Sequence, residues 1–320
     1  VSGEREPPAA ADTPARAGGG RETVTTGGGR GLLRPGWSVR RIYVALDASP
    51  SSGPTARTSA ELAARLSAEL HGLYVVDTTL LRVADLPFAR ETGTYSATGR
   101  PLAPGDIERR FRSQAERARR LVAESAARAA LASHRFEVLR GEVRRAIAEV
   151  AGDEDLLSLG RVGATGLHRL GGVAREVLAR GRGQVLLLPA SGRFDLPVLV
   201  VSGHTPGAHR ALQAALRVLE HRAPGDAERD QRLVVLLATD DPLQAHLLER
   251  EARFELAAAG HDPSHARFHR ASPEAHHALA HAVVHQRAGA VVLPFASPLV
   301  RRADLEEVVA NLDCAVLLVR

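Results

Sequence analysis

Between residues 40 and 192, short apolar runs alternate with longer amphipathic stretches. Residues 42–46 (IYVAL) form a short apolar run, the pattern of a parallel strand buried on both faces. TARTSAELAARLSAEL then reads as a helix, HGLYVVD as a second strand, and 78–105 as an irregular stretch. Apolar residues next recur at Ile107, Phe111, Ala115, Ala118, Leu121, Val122, Ala126 and Ala129, one stripe of a long helix. Strand RFEVLR, helix VRRAIAEVA, strand DLLSLG, the glycine-studded LGRVGATGLHRLGGVAREVL and strand QVLLLP complete the unit. Five strands alternating with four helices predict a parallel sheet covered by helices on both faces.

The pattern then restarts. FDLPVLVVSG, RLVVLLATDD, HARFHRA, AGAVVLPF and CAVLLVR read as five further strands, separated by four amphipathic helices. The repeat period of about 130–150 residues marks one β-first α/β unit following another. The joint SGRFD is short, so the halves are expected to pack together as an intramolecular pseudo-dimer. The expected fold class is α/β, two tandem doubly wound parallel five-stranded sheets with strand order 3-2-1-4-5. The expected domains are 40–192 and 193–320. Residues 1–39, with two GGG runs and no apolar period, are expected to be a disordered tail.

Composition narrows the chemistry. Hydrophobic residues are 44% and charged residues 25%, ordinary for a globular protein. Aromatics are only 3%, too few for stacking platforms on single-stranded nucleic acid. The formal charge of +5 is concentrated at the start, where residues 1–41 hold seven arginines against four acidic residues. The remainder is nearly balanced, so no nucleic-acid partner is expected. No apolar run reaches the roughly 20 residues of a membrane helix, and no signal-peptide pattern is present, so no membrane partner and a cytoplasmic location are expected. Every one of the 42 basic residues is arginine, which removes the Walker A lysine and Schiff-base chemistry. The single cysteine, Cys314, rules out an internal disulfide and cysteine-rich metal sites.

In a doubly wound sheet ligands sit beyond the carboxyl ends of the strands, where the strand order reverses. Asp47 ends the first strand and Gly160 the fourth, so order 3-2-1-4-5 brings the two together. VALDASPSS, LAARLSAELHGLYVVD and the glycine loop resemble the universal stress protein family, over residues 40–320 and in a tandem arrangement. The resemblance implies a stress-response sensor or regulator that binds ATP or another adenine nucleotide. It also implies a site in which Asp47, Val75 and Val76 lie by the adenine. Gly160, Gly163, Gly171 and Gly172 correspond to the family's Gly-2x-Gly-9x-Gly-[Ser/Thr] signature for ribose and phosphates. Seven residues separate Gly163 from Gly171 rather than nine, and Gly172 stands at the hydroxyl position. Arg161, His168 and Arg169 are candidates for compensating phosphate contacts, with solvated surface as the default reading of all three. A tight strand-to-helix turn without a ligand also accounts for the glycines.

The second half has lost this apparatus. Ser202 replaces the aspartate, and no glycine follows Val291. It is expected to be a degenerate partner. His277, His281 and His285 recur every four residues, a spacing able to bind zinc, but they are expected to face outward as solvated surface. No nucleophile elbow, HExxH or persuasive carboxylate pair is present, so no enzyme is expected. A scaffold without ligand and a weak ATPase are the competing readings, and a homodimer is open.

Overall fold

The computed structural model describes residues 36–91, 99–162, 170–219, 232–275, 277–300 and 304–320. Gly36–Arg320 form one compact unit, and residues 1–35 lie outside the described residues. The body begins before the expected boundary at 39. Trp37 and Val39 are buried, the Trp37 N–H donates to Gln213 Oε1 at 2.8 Å, and its Nε1–H donates to Gln184 Oε1.

The strands of the first half are β1 (Arg41–Ala45), β2 (Glu69–Asp77), β5 (His134–Gly141), β6 (Asp155–Gly160) and β7 (Gln184–Leu188). A two-stranded hairpin, β3 (Arg90–Glu91) with β4 (Arg100–Pro101), stands apart. The second half supplies β8 (Val198–Ser202), β9 (Leu233–Ala238), β10 (Ala266–Ala271), β11 (Ala290–Pro294) and β12 (Ala315–Val319). Each half has the expected order, β5-β2-β1-β6-β7 and β10-β9-β8-β11-β12. The expectation of two separate sheets is corrected. β7 and β12 pair antiparallel, Leu186 opposite Leu317, and join the halves into one ten-stranded sheet. The reason is local: both strands are buried throughout and, Gln184 aside, apolar, so pairing removes two exposed edges at once.

Alternate residues feed two cores, one per face. Ile42, Leu186 and Leu317 belong to one, and Tyr43, Leu187 and Leu318 to the other. The first face is covered by α1 (Ser52–Leu66), α3 (Pro104–Arg128), α6 (Pro206–Leu219) and α7 (Pro242–Ala258). The second carries α4 (Val143–Val150), α5 (Gly172–Arg180), α8 (Ala278–His285) and α9 (Leu305–Asn311). α3 buries Ile107, Phe111, Ala115, Ala118, Val122 and Ala126, the stripe its period predicts.

The stretch 78–105 is less irregular than expected, because it opens with α2 (Thr78–Ala84). Asp77 starts that helix, its Oδ1 accepting from Thr79 N–H at 2.8 Å and Leu80 N–H at 3.4 Å. At the joint of the halves Gly192 takes φ 66°, a left-handed turn that glycine adopts without strain, and Thr58 Oγ1 donates to its carbonyl at 2.5 Å.

Candidate functional site

The strand order reverses between β1 and β6, and a cavity of about 330 Å³ opens there, at the low end for small-molecule sites. Asp47 follows β1 at its edge, an exposed carboxylate. Its Oδ1 accepts from the Ser49 N–H and from Ser52 Oγ, each at 3.0 Å. Ala48 holds φ 59°, a conformation uncommon for a residue with a side chain. Together they turn the chain from β1 into α1 within six residues, so Ser51, Ser52 and Thr55 line the cavity.

Gly160 ends β6 against this turn. A Cβ there would stand 3.2 Å from Ser51 Oγ and 3.7 Å from Thr55 Oγ1, so its absence lets β6 and α1 approach closely. Ser59, a turn further along α1, lies 2.8 Å from Ser158 Oγ and fixes that approach from within the core. Across the cavity the Gly171 N–H donates to the Arg161 carbonyl at 2.8 Å, closing the base of the loop. α5 then starts at Gly172. The first-turn N–H groups of Gly172, Val173 and Ala174 have no intrahelical acceptor and belong to residues lining the cavity. A helix N-terminus favours negative charge. No arginine or histidine side chain lines the cavity among the described residues, whereas the carboxylates of Asp47 and Asp77 do.

The predicted residues divide. Asp47, Val75, Gly160, Gly171 and Gly172 meet at this cavity. Val76 does not line it. It packs in the core beneath α1 and α3, and Tyr74, on the same face of β2, lines the cavity in its place. Gly163, His168 and Arg169 lie outside the described residues. Arg161 is corrected as a phosphate candidate: its side chain is buried, and Nη1 donates to the Val309 carbonyl in the second half.

Sequence reasoning missed Tyr74, Phe111, Gln114 and Thr55, which also line the cavity. The Tyr74 hydroxyl donates to Gln114 Oε1 at 2.7 Å, and burial pushes its pKa up to about 12. Gln114 sits three residues after Phe111 on the apolar side of α3, a polar interruption legible in the sequence.

In the second half, prolines pack against the glycines at the equivalent strand ends. Pro298 Cγ lies 2.9 Å from where a Cβ of Gly203 would stand, and Pro294 Cβ lies 2.8 Å from that of Gly207. His277, His281 and His285 are exposed, and His277 lies just before α8, which begins at Ala278. No group of three His, Cys, Asp or Glu able to hold a metal converges among the described residues. Cys314 is buried, and that burial pushes its thiol up to about 11. No helix among the described residues is long and apolar enough to cross a membrane.

The arrangement defines a doubly wound α/β protein with a cavity at the strand-order reversal of its first half. Residues 38–189 match the model of the Universal stress protein family and belong to that family. No curated protein matches the chain. A universal stress protein from Archaeoglobus fulgidus DSM 4304 is similar in structure, with TM-score 0.61, 16% identity, and coverage of 88% of this chain and 98% of that one. At that identity the likeness is one of fold. UspA from Lactobacillus plantarum aligns with 47% of this chain and 97% of its own, at 20% identity and TM-score 0.33. A universal stress protein in complex with cAMP has the same coverage and identity, at TM-score 0.34.

Proposed function

We propose that the chain is a cytoplasmic, non-enzymatic stress-response protein that binds ATP or another adenine nucleotide in the first-half cavity. Residues 193–320 act in this reading as a degenerate second universal stress protein domain, completing an intramolecular pseudo-dimer. The observation that carries the proposal is the convergence of Asp47, Gly160 and the α5 N-terminus on one cavity. Val75, Phe111 and Ile147 supply an apolar wall for a base, and the N–H groups from Gly172 onward supply donors for phosphate. The shortened loop and the missing hydroxyl beside Gly172 favour modest affinity. Action by binding rather than catalysis is supported by the carboxylates, since Asp47 and Asp77 each accept from groups of their own turns.

Isothermal titration of the full chain with ATP tests the reading, with phosphate release followed in parallel. Saturable heat without phosphate release supports a sensor. No heat supports a scaffold, and release at a rate above background supports an ATPase.

A further inference from the structure

Thr55 lies in the first turn of α1 and is 1% exposed. A helical threonine commonly donates its hydroxyl to the carbonyl four residues back. Here the Ser51 carbonyl takes the Thr55 N–H at 3.0 Å, and Thr55 Oγ1 has no hydrogen-bond partner. Such a group is costly inside a protein and calls for an explanation. Thr55 lines the cavity, beside the point where Gly160 lacks a Cβ.

The neighbouring hydroxyls are already engaged. Ser52 Oγ donates to Asp47, and Ser51 Oγ pairs with Ser49 Oγ at 2.9 Å. We infer that the Thr55 hydroxyl is kept for the ligand, and that it recognises a sugar hydroxyl, making the site selective for ribonucleotides over their deoxy counterparts. This inference rests on the nucleotide reading above.

The chemistry around Thr55 selects the group. Asp47, bound to Ser52 one turn before Thr55, accepts hydrogen bonds only, and no cationic side chain lines the cavity among the described residues. A phosphate placed at Thr55 would meet the Asp47 carboxylate without a compensating cation. A ligand hydroxyl both accepts from Thr55 and donates onward, so it satisfies both neighbours. The phosphates are then left to the α5 N-terminus across the cavity.

The test is a binding comparison of ATP, 2′-deoxy-ATP and 3′-deoxy-ATP on the full chain and on Thr55→Val, which keeps the side chain's shape and removes the hydroxyl. At least one deoxy analogue should bind the wild-type chain about five- to tenfold more weakly than ATP. In Thr55→Val that difference should shrink to within about twofold through loss of ATP affinity. The variant should melt at or above the wild-type temperature, because it loses an unsatisfied buried hydroxyl. Equal binding of all three nucleotides by the wild-type chain overturns the inference while leaving the nucleotide reading intact. Discrimination that survives in Thr55→Val, or a variant that melts lower while discriminating normally, also overturns it. Absence of ATP binding by the wild-type chain defeats the nucleotide reading itself, and the inference with it.

Discussion

Arg161 Nη1 lies 3.3 Å from the carbonyl oxygen of Val309 and donates to it, from the end of β6 in the first half to α9 in the second. The residue follows directly on Gly160 at the cavity, yet its side chain is buried between the halves. Arg161→Met should therefore destabilise the fold, by about 1–3 kcal/mol for a buried charged hydrogen-bond donor. Affinity for ATP should change less than about threefold. Thermal melting and calorimetry on the one variant separate these effects. A normal melting temperature with ligand binding lost would place Arg161 at the phosphate after all.

Trp37 is the chain's single tryptophan, and it joins Gln184 of the first half to Gln213 of the second. Trp37→Ala should cost about 3–5 kcal/mol, as for other buried aromatic truncations. Chemical denaturation followed by circular dichroism checks it. A truncation ending at residue 35 keeps this anchor, whereas one ending at 39 removes it and should lower the melting temperature. Equal melting of the two truncations would show that Trp37 contributes little.

Tyr74 carries a pH prediction. Burial raises its folded pKa to about 12, above the ordinary value of 10.0. Below pH 10 both folded and unfolded chains hold the phenol proton, so the group adds no pH dependence there. Between pH 10 and 12 the unfolded chain releases the proton first, and stability falls. Tyr74→Phe should flatten part of that fall. The absorbance of the folded chain should show Tyr74 ionising well above the normal range, beside Tyr43, which burial also raises, and only the Tyr74 contribution should be missing from the variant.

The proline-packed second crevice predicts one ligand per chain. Pro298 packs against Gly203 and Pro294 against Gly207, at the strand ends equivalent to those that border the first-half cavity. Ser202→Ala should leave both affinity and stoichiometry unchanged. A stoichiometry of two would contradict the asymmetry.

Most of the fold was legible because parallel strands buried on both faces read as nearly continuous apolar runs, as IYVAL and VLLLP do. The fusion of the sheets was less so, since an apolar last strand predicts burial without naming what buries it. At the site, Asp47 and the glycines were found through turn chemistry and topology. Of the two valines only Val75 lines the cavity, and its β2 neighbour there is Tyr74 rather than Val76, a choice that an apolar strand end does not reveal. Arg161 was misread because a cation beside glycines suggests phosphate, while its depth beside α9 is set by the other half of the chain. Thr55 and Gln114 left only faint traces: Thr55 stands among the buried serines Ser52 and Ser59 of α1, and Gln114 follows Phe111 on the apolar side of α3.

The most direct test of the central claim is a crystal structure of the full chain grown with saturating ATP. The account predicts one nucleotide in the first-half cavity, its phosphates at the N–H groups of Gly172 and Val173 and its base against Val75 and Phe111. Nucleotide beside Ser202 and Pro298, or an empty first-half cavity at saturating ATP, would contradict it.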